Sequence, residues 1–256
     1  MINPVELSTD DLYYADANYF SVSAYKSFSK CEYSALFPES KKTTPLLVGS
    51  YVDRYVEGTL DIWLSEHPEC FVSTGKNKGE LKAPFKEAQQ ICEYISNDKV
   101  FSQFMSGEKQ MVMTGDINGV PWKIKIDSYS PHIAINDLKV MATITDRSGK
   151  YIDFITPWGY DIQMAVYQEI VRQNTGELLP CFICAVSKTD PINSVIVNIP
   201  QYILDTTLYT VMENAPHYWM VKQGCETPIK CGKCATCLRE RKGTPIINLE
   251  DIINGL

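Results

Sequence analysis

Apolar and polar residues alternate through two runs of "VPWKIKIDSYSPHIAINDLKVMA", residues 120–142, joined by a Ser-Pro turn. A period of two puts one side of each run on a buried surface, so the pattern predicts strands at about 120–128 and 132–139. A third strand is predicted before them at about 110–117. Elsewhere the period lengthens to that of a helix. "TTPLLVGSYVDRYVEG" (43–58) spaces its apolar residues helically and closes on Gly58, which suits a helix C-terminus. "ITPWGYDIQMAVYQEIVRQNTG" (155–176) has Pro157 near its start and Gly176 just past its end, the asymmetry of a helix. Ser21 caps a predicted helix running to Leu36, and further helices are predicted over 83–97 and about 203–221. "LPCFICAVSKTDP" (179–191) is a short apolar run between turn signals, which reads as a buried strand. "STGKNKGELKAP" (73–84) is polar and glycine-containing, and predicts a loop.

The order of helices, hairpin, helix, strand and helix implies an α/β (α+β) core, with a central mixed β-sheet flanked by helices. Near residue 223 the chain changes to "QGCETPIKCGKCATCLRERKG", which is short, basic and dense in cysteine. Two units are expected, a main domain over 1–222 and a cysteine-rich extension over 223–256. The chain shows no internal repeat and no low-complexity segment.

Composition narrows the function. A formal net charge of −7 argues against a general basic surface that coats nucleic acid, but leaves room for a local basic groove around an acidic, metal-holding centre. No long uncharged apolar stretch suggests a membrane span. The opening residues are acidic where a signal peptide needs a basic and then an apolar region, so a cytoplasmic location is expected. Nine cysteines in such a chain point to metal binding or buried thiols rather than disulfides.

Strand parity turns Asp137 and Lys139 the same way, and the hairpin can bring Asp127 beside Asp137. Two carboxylates ~4 Å apart repel by about 4 kcal/mol at an effective dielectric near 20, so they need a cation, a shared proton or a lysine. A hard dication, Mg²⁺ or Mn²⁺, suits a few carboxylates together with water and phosphate oxygens. Such a centre can activate water against a phosphodiester, with Lys139 orienting the water or neutralising charge. An isolated D-x₉-D-x-K also fits a solvated surface hairpin.

The surrounding stretches resolve that ambiguity by resemblance. The hairpin resembles the PD-(D/E)xK nuclease superfamily, in which an Asp and an Asp/Glu-x-Lys sit on adjacent strands. "SFSKCEYSALF", "VGSYVDRYVEG" and "YDIQMAVYQEI" resemble three helices of its RecB-like branch, and the last contains that branch's Q-x-x-x-Y as Gln163 and Tyr167. Within it the chain is most similar to the phage and prophage exodeoxyribonuclease VIII (RecE-like) group. The resemblance implies a restriction-endonuclease-like core, with Asp127 and Asp137 as metal ligands and Lys139 as catalytic lysine. It adds the Leu138 carbonyl as a ligand, and Gln163 and Tyr167 beside the active site. Asp53 stands where relatives usually carry a metal-binding His, a replacement that a hard cation accepts. Glu57, four residues on, shares its helical face and either supports a second ion or faces water. Lys188, at the end of "FICAVSK", either faces a phosphate or is a solvated strand end.

The sharpest local pattern is Cys231-x₂-Cys234-x₂-Cys237, three thiols that one loop can bring to one centre. Cys225 would complete a local Cys₄ zinc site, and Cys31 would complete an iron–sulfur site. Some RecB-like nucleases join one N-terminal and three C-terminal cysteines on a 4Fe–4S cluster. That likeness favours Cys31 and implies that the extension packs on the N-terminal region. Cys181 and Cys184 fall on opposite faces of a strand and are expected in the core, with Cys70 and Cys92 as buried thiols.

The activity implied is a metal-dependent exonuclease acting on ends of linear double-stranded DNA in phage-type recombination. A RecT-like single-strand annealing protein is its expected partner, and a homo-oligomer its expected assembly. Two other readings stay open: a RecB-like iron–sulfur nuclease of CRISPR adaptation or end repair, and an inactive DNA-binding module.

Overall fold

The structure is a computed structural model that describes residues 4–7, 9–38, 43–244 and 246–253. Its helices are α1 (Asp10–Ala15), α2 (Val22–Lys30), α3 (Glu32–Ala35), α4 (Thr44–Glu57), α5 (Leu60–Glu66), α6 (Ala83–Asn97), α7 (Lys99–Phe104), α8 (Tyr160–Thr175), α9 (Gln201–Lys222), α10 (Ala235–Arg239) and α11 (Leu249–Ile253). The strands are β1 (Glu108–Ile117), β2 (Val120–Ser130), β3 (Ala134–Met141), β4 (Cys181–Ser187) and β5 (Ser194–Asn198). They form one mixed sheet in the order β1-β2-β3-β4-β5, antiparallel except for the parallel pair β3–β4. A parallel pair needs a long crossover, and α8 supplies it.

Parity sorts the two faces. Trp122, Ile124 and Ile126 of β2 and Ile183 and Ala185 of β4 are buried on one face, under α2, α8 and α9. Leu138, Cys184 and Val186 are buried on the other, under α4, α5 and α6. Each such Ile, Leu or Val removed from water contributes about 1.5–3 kcal/mol, so the alternation fixes strand register strongly. Cys181 and Cys184 do fall on opposite faces, and Cys70 and Cys92 are buried in the second cluster. Gly115 lets α8 lie close on β1, because a Cβ there would meet Gln173 Oε1 at 2.5 Å.

Several boundaries differ from the sequence reading. The helix expected over 21–36 is broken at Cys31, whose extended backbone ends α2 and whose Sγ caps α3 by accepting from Ser34 N at 3.4 Å. β2 runs on to Ser130 and β3 starts at Ala134, with His132 in the turn at φ 62°. The helix expected from 155 opens with a single 3₁₀ turn, Thr156–Trp158, before Gly159 at φ 62° redirects the chain into α8. The short elements α1, α5, α7 and β5 carry too few turns or alternations to show a period. Among the described residues, no helix is long and apolar enough to cross a membrane.

Candidate active site

The site starts where two strands part. β2 and β3 pair through Ser130↔Ala134, Tyr129↔Ile135 and Ser128↔Asn136, and there the ladder stops. Asp127 and Asp137 occupy the next rung, the first beyond the last pair. The fork is pinned from α7, because Ser128 Oγ and Asn136 Nδ2 both donate to Phe104 O, at 3.0 and 2.9 Å. Past the fork, Leu138 N donates to Asp127 Oδ2 at 2.9 Å instead of to a strand partner. Gln110, at φ 51° on β1, donates weakly to Asp127 Oδ1 at 3.4 Å. A backbone rung is thus replaced by a carboxylate aimed into a gap.

That gap opens into a cleft of about 280 Å³ lined by Asp53, Asp127, Asp137, Leu138, Lys139, Gln163 and Tyr167. At about 30 Å³ per water it holds several waters or ions, which suits a phosphate group rather than a large organic ligand. All the residues proposed for the nuclease centre therefore meet, although they come from α4, β2, β3 and α8. Glu57 also lines the cleft and does not simply face water, since it accepts from Arg54 Nη1 at 2.8 Å and Thr59 Oγ1 at 3.2 Å. Lys188 does not line it, and its Nζ donates to Pro45 O at 3.2 Å at the start of α4. Among the described residues no histidine lines the cleft, and Asp53 stands where α4's histidine is expected.

Charge is concentrated here. The buried Asp137 forms an ion pair through Oδ2 with Lys139 Nζ, although that oxygen receives no hydrogen bond of ordinary geometry. Its Oδ1 accepts from Gln163 Nε2 at 2.5 Å. Burial pushes the Asp137 carboxyl up to about 7, aided by Asp127 and opposed by Lys139. Burial raises Asp53 well above the usual carboxylate range, and Asp127, Asp137 and Glu57 push it the same way against Lys139. Burial pulls the Lys139 ammonium down, but Asp137 and Asp127 outweigh it and leave it above its ordinary value. Tyr167 is a fixed donor: burial holds its phenol well above the usual range, and its hydroxyl donates to Lys125 O at 2.9 Å. The Gln163–Tyr167 face of α8 thus grips one carboxylate and the strand that carries the other.

The donor set suits a hard divalent cation. Asp53, Asp127 and Asp137 line one cleft beside Leu138, and while Lys139 pairs with Asp137, the cleft's Arg54 and Lys125 are turned to Asp10.

Several polar groups of the cleft carry no motif in the sequence. Lys26 of α2 lines it, donates to Trp158 O at 3.1 Å, and is drawn down to about 8 by burial and by Lys139. Arg54 and Lys125 line it as well, with Tyr13 and Tyr14 of α1. Strand parity could have found Lys125, two residues before Asp127. Nothing local marks Lys26 or Tyr13.

A second cluster joins the chain's two ends. The Sγ atoms of Cys31, Cys231, Cys234 and Cys237 all lie within 4.8 Å of one another. Cys31 Sγ is 3.6 Å from Cys237 and 3.8 Å from Cys234, and Cys231 is 3.9 Å from Cys237. The fourth thiol is therefore Cys31, while Cys225 is exposed and outside the group. Contacts of α3 with the extension support it: Glu32 Oε2 accepts from Ile229 N at 2.8 Å, and Ser34 Oγ meets Thr236 Oγ1 at 3.2 Å. These four thiols can hold a metal.

Comparison with known proteins agrees with this geometry. A family model described as "PDDEXK-like domain of unknown function (DUF3799)" matches residues 21–240. A crystal structure from Eubacterium rectale, described as a "Putative exonuclease", is 43% identical over 97% of this chain and 98% of that one, with a TM-score of 0.85. A second solved structure, SSO0001, matches at 12% identity over 76% of this chain and 86% of that one, with a TM-score of 0.29, and bears no weight. No curated protein matches the chain. The motifs, the forked hairpin and a family match over most of the sequence agree: the chain belongs to the PDDEXK-like domain family and is a PD-(D/E)xK nuclease by kind.

Proposed function

We propose that the protein is a divalent-metal-dependent DNA exonuclease that hydrolyses phosphodiester bonds from the ends of linear double-stranded DNA. The observation that carries the reading is the fork at Asp127 and Asp137, which faces both carboxylates, Asp53 and Lys139 into one cleft. The exonuclease description of the 43% identical relative supports it.

Asp53, Asp127, Asp137 and the Leu138 carbonyl would hold the cation. When bound, a divalent ion neutralises phosphate charge and lowers the barrier to attack by water. In the metal-free protein Asp137 and Asp127 hold Lys139 as an ammonium, which suits it to meet the phosphate or the attacking water as a cation and donor. Gln163 orients Asp137 through its amide, leaving the carboxylate's other oxygen to Lys139. Tyr167 locks β2 against α8 and so fixes where Asp127 points.

The cysteine site is proposed as structural. A tetrahedron of thiolates around one Zn²⁺ at about 2.3 Å has sulfur–sulfur edges of about 3.8 Å. Three separations of 3.6–3.9 Å, with all four sulfurs within 4.8 Å of one another, support that single ion over the 4Fe–4S cluster, whose thiolates bind separate iron corners farther apart. A RecT-like annealing partner, a homo-oligomer and a role in phage-type recombination belong to the same proposal and rest on the RecE-like resemblance.

The test is incubation of the purified protein with end-labelled linear and closed circular duplex DNA, in Mg²⁺ or EDTA, beside Lys139→Ala. Linear DNA is expected to disappear only with Mg²⁺, circles to survive, and the variant to lose about 10²–10³-fold in rate. Absence of cleavage by folded, Mg²⁺-supplied protein overturns the reading.

A further inference from the structure

Two cations enter the cleft from different elements and converge on one carboxylate. Lys125 of β2 and Arg54 of α4 both pair with Asp10, the first residue of α1: Oδ1 accepts from Lys125 Nζ at 2.5 Å, and Oδ2 pairs with Arg54 Nη2. The cations have other support. Arg54 Nη1 also donates to Glu57 Oε2 at 2.8 Å, and Lys125 Nζ lies 5.1 and 4.8 Å from the ring centres of Tyr13 and Tyr14. They are the less exposed members of the group, with the Lys125 and Arg54 side chains at 11% and 27% against 37% for Asp10. Lys125 precedes Asp127 on one strand face by a step of about 7 Å, similar to the step between neighbouring phosphates of a DNA strand. The family match begins at residue 21, so Arg54 and Lys125 lie within it and Asp10 lies outside.

We propose that Arg54 and Lys125 form a binding site for a phosphate of the DNA strand next to the one cleaved, and that Asp10 occupies this site in the free protein as a displaceable carboxylate stand-in. The inference takes DNA as the ligand from the nuclease reading. Release does not require α1 to unfold. Leu7 and Tyr13 are buried against Val112, and Lys123 Nζ donates to Asp16 O at 2.9 Å, so the segment stays anchored while the Asp10 side chain turns away. Both cations then face a phosphate, and Glu57 keeps Arg54 aligned.

The test measures binding of a fluorescein-labelled blunt duplex by anisotropy in EDTA, where metal-dependent cleavage is suppressed. Wild type is compared with Asp10→Asn, Asp11→Asn and Arg54→Gln across a salt series. If the stand-in is seated in about 80–90% of molecules, Asp10→Asn tightens binding about five- to tenfold. Asp11→Asn makes the same charge change at an exposed neighbour and is expected to shift binding less than twofold. Arg54→Gln weakens binding and lowers the salt slope by about one. Asp10→Ser repeats the test with a side chain too short to bridge both cations, and thermal melts check that each variant folds. Unchanged or weaker binding by both Asp10 variants overturns the inference, as does an equal gain in Asp11→Asn, which would make the effect one of net charge. Failure of the nuclease reading shows elsewhere, as absence of Mg²⁺-dependent cleavage by wild type. Absence of any DNA binding by wild type and variants alike overturns both.

Discussion

Replacing Asp53 by Asn should stabilise the metal-free protein and weaken its response to metal. In the metal-free state the half-buried Asp53 stands near Asp127, Asp137 and Glu57, and desolvation with their charge raises its pKa well above the ordinary value. At an effective dielectric near 20, a like charge costs about 3 kcal/mol for a separation of about 5 Å, and Lys139 offsets part of what Asp127, Asp137 and Glu57 impose. The penalty is also capped, because staying protonated costs only about 1.4 kcal/mol per pH unit above an ordinary pKa near 4. Allowing for desolvation of the Asn amide, a gain of about 2–3 kcal/mol at pH 8 follows, or roughly 4–10 °C in melting temperature for a chain of this size. The sign with pH is fixed. Below about pH 4 the carboxyl is protonated in folded and unfolded chains alike and the variant gains nothing. As pH rises the unfolded chain loses the proton first, so wild-type stability falls until the raised folded pKa is passed, and the gap widens. Added Mg²⁺ narrows the gap: wild type gains about 3 kcal/mol at a hundredfold excess over its dissociation constant, and the variant gains less. Calorimetry at pH 4.5 and pH 8, with Mg²⁺ and with EDTA, reads all four states. Refutation is an Asp53→Asn protein that melts at or below wild type in EDTA at pH 8, or that keeps the full Mg²⁺ shift.

Three further outcomes are expected. Cys31→Ser should lose the bound metal, falling from about one zinc per chain to near none by elemental analysis; visible absorption with stoichiometric iron in wild type would instead establish a cluster. Gln163→Ala frees Asp137 Oδ1 and should lower cleavage about tenfold while costing only about 1 kcal/mol of stability in a denaturant melt; an unchanged rate would remove its positioning role. Gly107→Ala places a Cβ 2.4 Å from Tyr129 O, a backbone atom that cannot move aside, and should cost at least about 1–3 kcal/mol. That loss should be the same with and without metal, since the residue serves the corner between α7 and β1 and not the charges.

The parts legible in the sequence are those written in local periods. Alternation located β2 and β3, the Pro157–Gly176 frame located α8, and Gly58, at φ 78°, closes α4 as expected. Parity put Asp137 and Lys139 on one side, and helical spacing put Gln163 and Tyr167 on one face. In the sequence only resemblance joins Cys31 to three cysteines some two hundred positions later, and its Sγ lies 3.6 Å from that of Cys237. The break of the helix at Cys31 was not legible, because the extended backbone there answers to packing against the extension and not to any Pro or Gly.

What stayed hidden in the site is tertiary in origin. The fork depends on Ser128 and Asn136 sharing the Phe104 carbonyl, a meeting of three residues whose side chains carry no pattern. The pairing of Asp10 with Lys125 spans 115 positions, and neither residue belongs to a recognisable motif. A sequence motif names the groups that do the chemistry, because their types and spacing are constrained together. Groups that hold the substrate's neighbouring phosphates are constrained only by charge and reach, and many positions can supply them. Arg54 and Lys125 could be found only once the strands and α4 had been placed around the cleft.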